Sequence, residues 1–531
     1  MRVSRRAIVA GVLLPAAILG GCRRAEALRE LPTLRLRLAQ DPATLDPAAA
    51  VDQHSLAVVS QIHAGLVEID PEGQAVRPAL AERWEVSPDG LRYVFHLRPD
   101  AVFHDGSPVT AGDVVRSFER LLSPSTRSPR RQVLEPLAGS EAFSRGQSPR
   151  LEGARAAGRH TVELSLRRPA PAFLSQLALE AASIVAADAG GMARRPVGAG
   201  PFALESWAPG ERITLRRAPG ARAAGPGAVH RIVYTIIASE ATALEEYLAG
   251  GLDVADQIPA GRRADLTARL GGEYRRWSQP ALAYLGFNHA AAPFAGNRAL
   301  RAAFNHAVDK EYIARVVNEG KDLPARGILP PGTPGFDPSL AGFPHDPAAA
   351  RRMLAEAGFP QGRGLPEITL HYNTSASQQR IMERVRMDLE AIGVRVRLQS
   401  LDPAALLAEL DSGRPVFFRM SWLAEQPDGD AFLTPTLHSR SRPQEGNFAR
   451  YANPAVDELL DRAREETDPE LRAAMHRRAQ RLAVEDACWL LLYHHGDEAL
   501  VKPRVRGLSI PALGEFLAPL ERVRIDEGGR G

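Results

Sequence analysis

The sequence predicts a packed protein of mixed α/β class, and three observations predict it. Short stretches alternate strictly between apolar and polar residues; helical patterns are interleaved with them rather than gathered elsewhere. The composition is also that of an ordinary globular chain, with 44% hydrophobic, 24% charged and 6% aromatic residues, which excludes a disordered, collagenous or polytopic membrane protein. At 531 residues the chain holds three to four domain lengths of roughly 150 residues and can bury large cores.

The amino terminus reads as an address. Arg2, Arg5 and Arg6 precede an apolar run from Ala7 to Leu19, followed by Gly20, Gly21 and Cys22, the order of a secretory signal. The run is interrupted by Pro15 and is shorter than the roughly 20 residues that cross a bilayer core. Leu19-Gly20-Gly21-Cys22 resembles the lipobox of bacterial lipoproteins, in which cleavage precedes the Cys and the thiol carries a lipid. An incidental Cys22 is the alternative reading. Cys488 is the only other cysteine and is too distant to suggest a disulfide framework. Ser4-Arg5-Arg6 also resembles a twin-arginine signal, so Sec and twin-arginine export both stay open.

The mature chain opens on Leu34-Arg35-Leu36-Arg37-Leu38, a strand with one apolar face and its arginines on the other. Tyr93–Leu97 repeats the alternation after a Pro88-Asp89-Gly90 turn, and a helical pattern from Ala111 to Leu122 starts after Thr110, a cap residue. Residues 123–153 and 218–228 are rich in Ser, Pro, Gly, Arg and Ala and read as surface loops or insertions. A second half begins near Leu285-Gly286-Phe287-Asn288. It alternates helices over 297–317, 347–358, 377–392 and 404–412 with strands at 368–372 and 394–398, an α/β unit with its own sheet.

Charge and motifs exclude several function classes. Lys and Arg number 66 and Asp and Glu 63, a net charge of +3, too small for a nucleic-acid surface. All the cations but Lys310, Lys321 and Lys502 are arginines, and they are scattered. No G-x-S-x-G, phosphate-binding loop, H-E-x-x-H, EF-hand or metal-spaced Cys pair is present. Neighbouring His494 and His495 point to opposite faces of a strand, and Asp428-Gly429-Asp430 reads as a turn rather than a calcium loop.

Several ordered segments resemble the family 5 extracellular solute-binding proteins of ABC importers, which include dipeptide- and oligopeptide-binding proteins. They are Thr44-Leu45-Asp46-Pro47, Leu80-Ala81-Glu82-Arg83-Trp84-Glu85, Asp89 to Arg98, Phe103 to Val114, Val197 to Phe202, Arg301 to Lys310, Asp346 to Gly358 and Asn447 to Pro454. The block from Leu80 to Val114 is the most specific of them. The resemblance covers essentially the whole mature chain.

The resemblance implies a two-lobed periplasmic-binding-protein-like fold, type II, with an extra subdomain, mixed sheets and a hinge between the lobes. It divides the chain into a signal peptide (1–21), a lipid-anchored linker (22–33), lobe I (34–66, 198–290 and 491–531), an extra subdomain of lobe I (67–197) and lobe II (291–490). It implies a monomer outside the inner membrane that captures a peptide-like solute and delivers it to permease and ATPase subunits, with no cofactor, metal or nucleic acid. Nickel, haem, opine and oligosaccharide relatives keep the solute class open, and a secreted hydrolase or a surface adhesin are the competing classes.

For site residues it implies Glu425 in Ser421-Trp422-Leu423-Ala424-Glu425, where relatives usually hold an Asp that meets a peptide ammonium. Arg419 stands where an arginine can meet the ligand carboxylate, and Trp422 is a candidate apolar wall. Arg419 and Glu425 pairing with each other, or lying on a solvated face, is the alternative. Asp52, Gln53 and His54 match a segment whose backbone faces the ligand.

Overall fold

The alternation at Leu34, Leu36 and Leu38 forms the strand Thr33–Leu38 in a computed structural model that describes residues 31–70, 75–187, 191–221, 225–259, 261–424, 428–509 and 519–526. The expected signal segment, Cys22 and Glu425 lie outside the described residues. Thr33–Leu38 is the edge of a four-stranded sheet in the order Thr33–Leu38, Arg231–Ile236, Arg212–Arg217, Phe202–Ala208. It runs parallel to Arg231–Ile236, and the other neighbours are antiparallel. Leu34 and Leu38 pack with Ile213, Leu215 and Ile232 in the core beneath.

The arginine face of this strand is not simply exposed. Arg37 is buried because its guanidinium pairs with Asp256 at 3.1 Å and donates to the carbonyls of Ile237 and Ala238 at 2.7 and 3.1 Å. A buried charge persists only when paired and hydrogen-bonded in this way.

A second, antiparallel sheet runs Ala81–Val86, Arg92–Leu97, Thr161–Ser165, Ala154–Ala156. Its first two strands are joined through Gly90, whose φ of 68° suits a residue without Cβ. Helix Ala111–Leu122 starts where Thr110 predicts: the Asp113 carboxylate accepts the Thr110 backbone N–H at 2.9 Å, as in a capping box. The helix turns Val114, Phe118 and Leu121 onto Phe95 and Val162 in a core of its own.

The third sheet has seven strands. Six follow the order Val254–Asp256, Trp489–Val501, Tyr274–Phe287, Phe417–Leu423, Ile368–Asn373, Val396–Leu401, and Leu323–Pro324 pairs with Trp489–Val501 off that path. Two of its members are unusually long, 14 residues in Tyr274–Phe287 and 13 in Trp489–Val501, so each spans over 40 Å at about 3.3 Å per residue. That length carries them between cores. Trp277, Ala499 and Val501 belong with the amino-terminal sheet, whereas Leu285, Phe287, Leu490 and Leu492 belong with Phe304, Leu370 and Val385.

The antiparallel ladder between these crossing strands is broken midway. Ser278 pairs with Gly496 and Leu282 with His494, leaving Gln279, Pro280 and Ala281 opposite His495 alone. Pro280 has no N–H to give.

Helices Pro347–Glu356, Ala376–Glu390 and Pro403–Ser412 follow the expected spans. The expected helix over 297–317 is interrupted. Arg298–Ala307 ends at Val308, and Asp309 caps a separate segment by accepting the Tyr312 N–H at 2.9 Å. Asp428-Gly429-Asp430 is the expected turn, with Asp428 accepting the Asp430 N–H at 2.8 Å. No helix among the described residues is long and apolar enough to cross a membrane.

Candidate functional site

A cavity of about 560 Å³ opens beside the break in the crossing strands. One wall comes from Thr33–Leu38 and the first turn of helix Gln53–Ile62; another comes from residues 317–319, Lys321, Asp322 and the start of helix Ala376–Glu390; the floor is Gln279 with Tyr493 and residues 495–498. Asp52 sets the first wall. Its carboxylate accepts the Ser55 N–H at 2.9 Å as the helix cap, which presents Gln53 and His54 to the cavity.

Two arginines on the lining are committed to carboxylates. Arg37 holds Asp256, and Arg263 makes a forked contact to Glu498 and a 2.8 Å bond to Glu319. Glu498 is 2% exposed and also accepts the Tyr274 hydroxyl at 2.8 Å. Burial, together with that bond to Glu498, pushes the Tyr274 phenol up to about 12. The guanidinium fork satisfies both oxygens of a desolvated carboxylate at once.

Asp322 and Asp497 are different. Asp322 accepts the Gly496 N–H at 3.0 Å and the Asn318 amide at 2.6 Å; Asp497 accepts the Glu498 N–H at 2.9 Å and the Gln279 amide at 2.7 Å. All four donors are neutral, and burial pushes both carboxyls above the usual range. Lys321 lies between these walls and makes no ion pair among the described residues.

His495 is held neutral, its pKa pushed down to about 3 by burial and then by the Arg419 and Lys321 charges. Its Nε2 lies 3.1 Å from Ser421 Oγ, which in turn accepts a hydrogen bond from Arg419 Nη2 at 2.7 Å. A serine hydroxyl can accept from Arg419 and still either donate to or accept from His495 Nε2, so the imidazole tautomer sets the direction of that bond. No group of three or more His, Cys, Asp or Glu among the described residues could hold a metal ion.

The family model for "Bacterial extracellular solute-binding proteins, family 5 Middle" matches residues 75–444, more than half of the chain. The chain belongs to the family 5 extracellular solute-binding proteins. Among its relatives, the probable deoxycholate-binding periplasmic protein YgiS of Escherichia coli K12 is 31% identical, with 88% of this chain and 89% of that protein covered. The periplasmic oligopeptide-binding protein OppA of the same organism is 28% identical over 96% of both chains. Among solved structures, the periplasmic murein tripeptide-binding protein MppA in its unliganded open form matches with a TM-score of 0.82 and 28% identity, covering 93% of this chain and 98% of that one. The two-lobed periplasmic-binding-protein fold is therefore this chain's fold.

In this solute-binding protein the residues expected from sequence fall into three groups. Gln53 and His54 line the cavity, and Asp52 supports them from the cap. Arg419 stands one side chain behind the lining, bonded to Asn373 at 3.1 Å and to Ser421, and so reaches the cavity through His495. Trp422 does not join them. Three residues along a strand put it on the opposite face from Arg419; its indole donates to the Ala431 carbonyl at 2.8 Å, and its ring packs in the core with Phe418 and Tyr284.

Sequence reasoning did not single out Asp322, Asp497, Arg263, Glu498 or His495 as lining residues. Gly496 explains part of that. It sits against the backbone carbonyl of Lys321, where a Cβ would come within 1.9 Å, so two segments 174 residues apart share one wall with no local pattern to announce it.

Proposed function

We propose that this chain is the solute-capturing component of an ABC importer, taking a peptide-like solute outside the inner membrane and handing it to permease and ATPase subunits. The observation that carries the reading is the cavity itself. It is lined from both sides of a broken pair of crossing strands, in a family of extracellular solute-binding proteins. Such a break lets two lobes close on a ligand by hinge motion, and convergent polar groups over a partly apolar cavity suit a small solute. The lobe assignments 34–66, 198–290 and 491–531 against 291–490, with 67–197 as an extra subdomain, belong to the same proposal. So do export by the amino-terminal signal, anchoring to the membrane through Cys22, and a monomeric state.

Two edges of the cavity suit a peptide. Lys321 offers an unpaired ammonium to a carboxylate, and the neutral His495 offers a ring nitrogen to a polar group of the backbone. Arg419 acts behind His495 as a positioning residue. Glu425 keeps its proposed role at the ligand ammonium, and Gln53 and His54 theirs at the first wall; Trp422 is proposed to support the strand rather than touch the solute.

A non-peptide solute is the second reading, favoured by the 31% identity to a deoxycholate-binding relative. A hydrolase reading finds a Ser421–His495 pair, but a histidine with a pKa near 3 is a poor proton acceptor at neutral pH.

The test is the melting temperature of residues 23–531, stripped of solute by partial unfolding and refolding, against di- to pentapeptides, deoxycholate, sugars, nickel and haem. A ligand at about 100 times its Kd adds roughly 2.7 kcal/mol, and with about 1 kcal/mol/K of unfolding entropy for about 500 residues the transition rises by about 2–3 °C. A rise with peptides alone supports the peptide reading. A rise with deoxycholate alone, or conversion of peptides to products, overturns it.

A further inference from the structure

The interior of the cavity does not balance its charges. Arg37 is used by Asp256, and the single guanidinium of Arg263 serves both Glu319 and Glu498. That leaves Asp322 and Asp497 with Lys321 as the one remaining interior cation of the lining. Glu240 and Arg380 stand exposed at the rim, where charges of opposite sign offset each other and are screened. The described interior therefore holds two more negative charges than positive ones.

Those charges sit where they matter most. Asp322 is 6% exposed and receives hydrogen bonds from neutral groups only; Asp497 is half-buried and is also served only by an amide and a backbone N–H. Each carboxylate has roughly four acceptor positions, so both keep capacity for one more donor. Gly496 packs on the Lys321 carbonyl and its N–H bonds Asp322, so the segments that carry Asp322 and Asp497 meet there and both residues line the cavity. A cation arriving there restores the electrostatic stabilisation that desolvation has removed.

We propose that the solute is cationic overall, and that an ammonium or guanidinium group beyond any terminal amine seats against Asp322 and Asp497. The inference rests on the solute-binding reading above and adds the charge class: basic peptides, or other polyvalent amines, over neutral and acidic solutes.

Calorimetric titration of the stripped protein with Ala-Lys-Ala, Ala-norleucine-Ala and Ala-Glu-Ala tests it, because the first two differ little except in charge. The lysine peptide is expected to bind about tenfold tighter than the norleucine peptide, the scale of one charge-assisted hydrogen bond, and the glutamate peptide weakest. The lysine-to-norleucine ratio should fall towards one in Asp497→Asn, whose amide keeps the Glu498 and Gln279 bonds after a flip of the Gln279 side chain. Asp322→Asn serves as the second variant, with the melting temperature of each checked first, and added salt should weaken the lysine peptide more than the norleucine peptide. Equal affinities for the lysine and norleucine peptides overturn the proposal, as does a tighter glutamate peptide. If none of the three binds, the peptide reading fails by itself, and spermidine against an uncharged glycol of similar length decides the charge preference: spermidine binding alone sustains it, and no preference for spermidine sinks it.

Discussion

Replacing Lys310 with Met should make the protein more stable at neutral pH, against the usual effect of removing a native residue. Lys310 is buried, and its ammonium has only the Asn305 side-chain oxygen at 3.4 Å, the Phe343 carbonyl at 3.2 Å and the Phe343 ring for company. No carboxylate lies within ion-pair distance among the described residues, and burial pushes the amine down from 10.5 to about 7. The unfolded chain binds this proton up to about pH 10.5 and the folded chain only up to about 7. Stability therefore rises with pH across that window, and the cost of bringing the charge inside is full below it. The gap corresponds to about 5 kcal/mol, of which about 4 remains at pH 7. Losing the two weak hydrogen bonds costs about 1 kcal/mol each, so Lys310→Met should gain about 2 kcal/mol at pH 7. Melting curves at pH 6, 7, 8 and 9 measure it: the variant is expected to melt about 2 °C higher at pH 7 and to lose its advantage as pH rises. Parallel pH profiles for the two proteins would refute a neutral, buried Lys310.

In acid the same sign holds for the histidines. His63, His289, His494 and His495 are pushed down to between about 3 and 4, in each case chiefly by burial, so the unfolded state takes up protons first and stability should fall as pH drops through about 6.5 towards 4; melting curves should show His289→Asn losing less over that range than the parent. Arg263→Ala should cost about 3 kcal/mol or more by stranding Glu498, and Arg263→Lys should recover little of it, because an ammonium cannot fork; denaturant midpoints report both. Gly496→Ala should destabilise by about 1–3 kcal/mol, since its Cβ meets the Lys321 carbonyl, and it should also weaken solute binding, read by the same calorimetry.

Much of the fold was legible because its signals are local. The turn at Gly90, the capping of Ala111–Leu122 by Thr110 and Asp113, and the period of two in Thr33–Leu38 each lie within a few residues. Gln53 and His54 were expected from the resemblance, which carries a ligand-facing segment to this distance after Leu45-Asp46-Pro47, and they line the cavity. The misreadings have physical causes. Alternation put Arg37 on the face opposite the leucines but could not reveal that it is buried there, because Asp256 arrives from 219 residues away. Trp422 was set beside Arg419 by sequence proximity, although the strand Phe417–Leu423 turns residues three apart to opposite faces. Asp322 and Asp497 carry no motif, and only the meeting of two remote segments puts them on one cavity.

The break in the crossing strands also gives the molecule an optical reporter. Trp277 pairs with Asp497 one step from the break, and its buried indole N–H has no hydrogen-bond partner among the described residues. The other four tryptophans have other surroundings: Trp84 near Phe95, Trp207 bonded to Asp41, Trp422 to Ala431, and Trp489 stacked on Tyr284. A change in the angle between the strands at the break should alter the polarity around Trp277, which sits beside it. The intrinsic emission of the unlabelled protein should then follow lobe closure in real time.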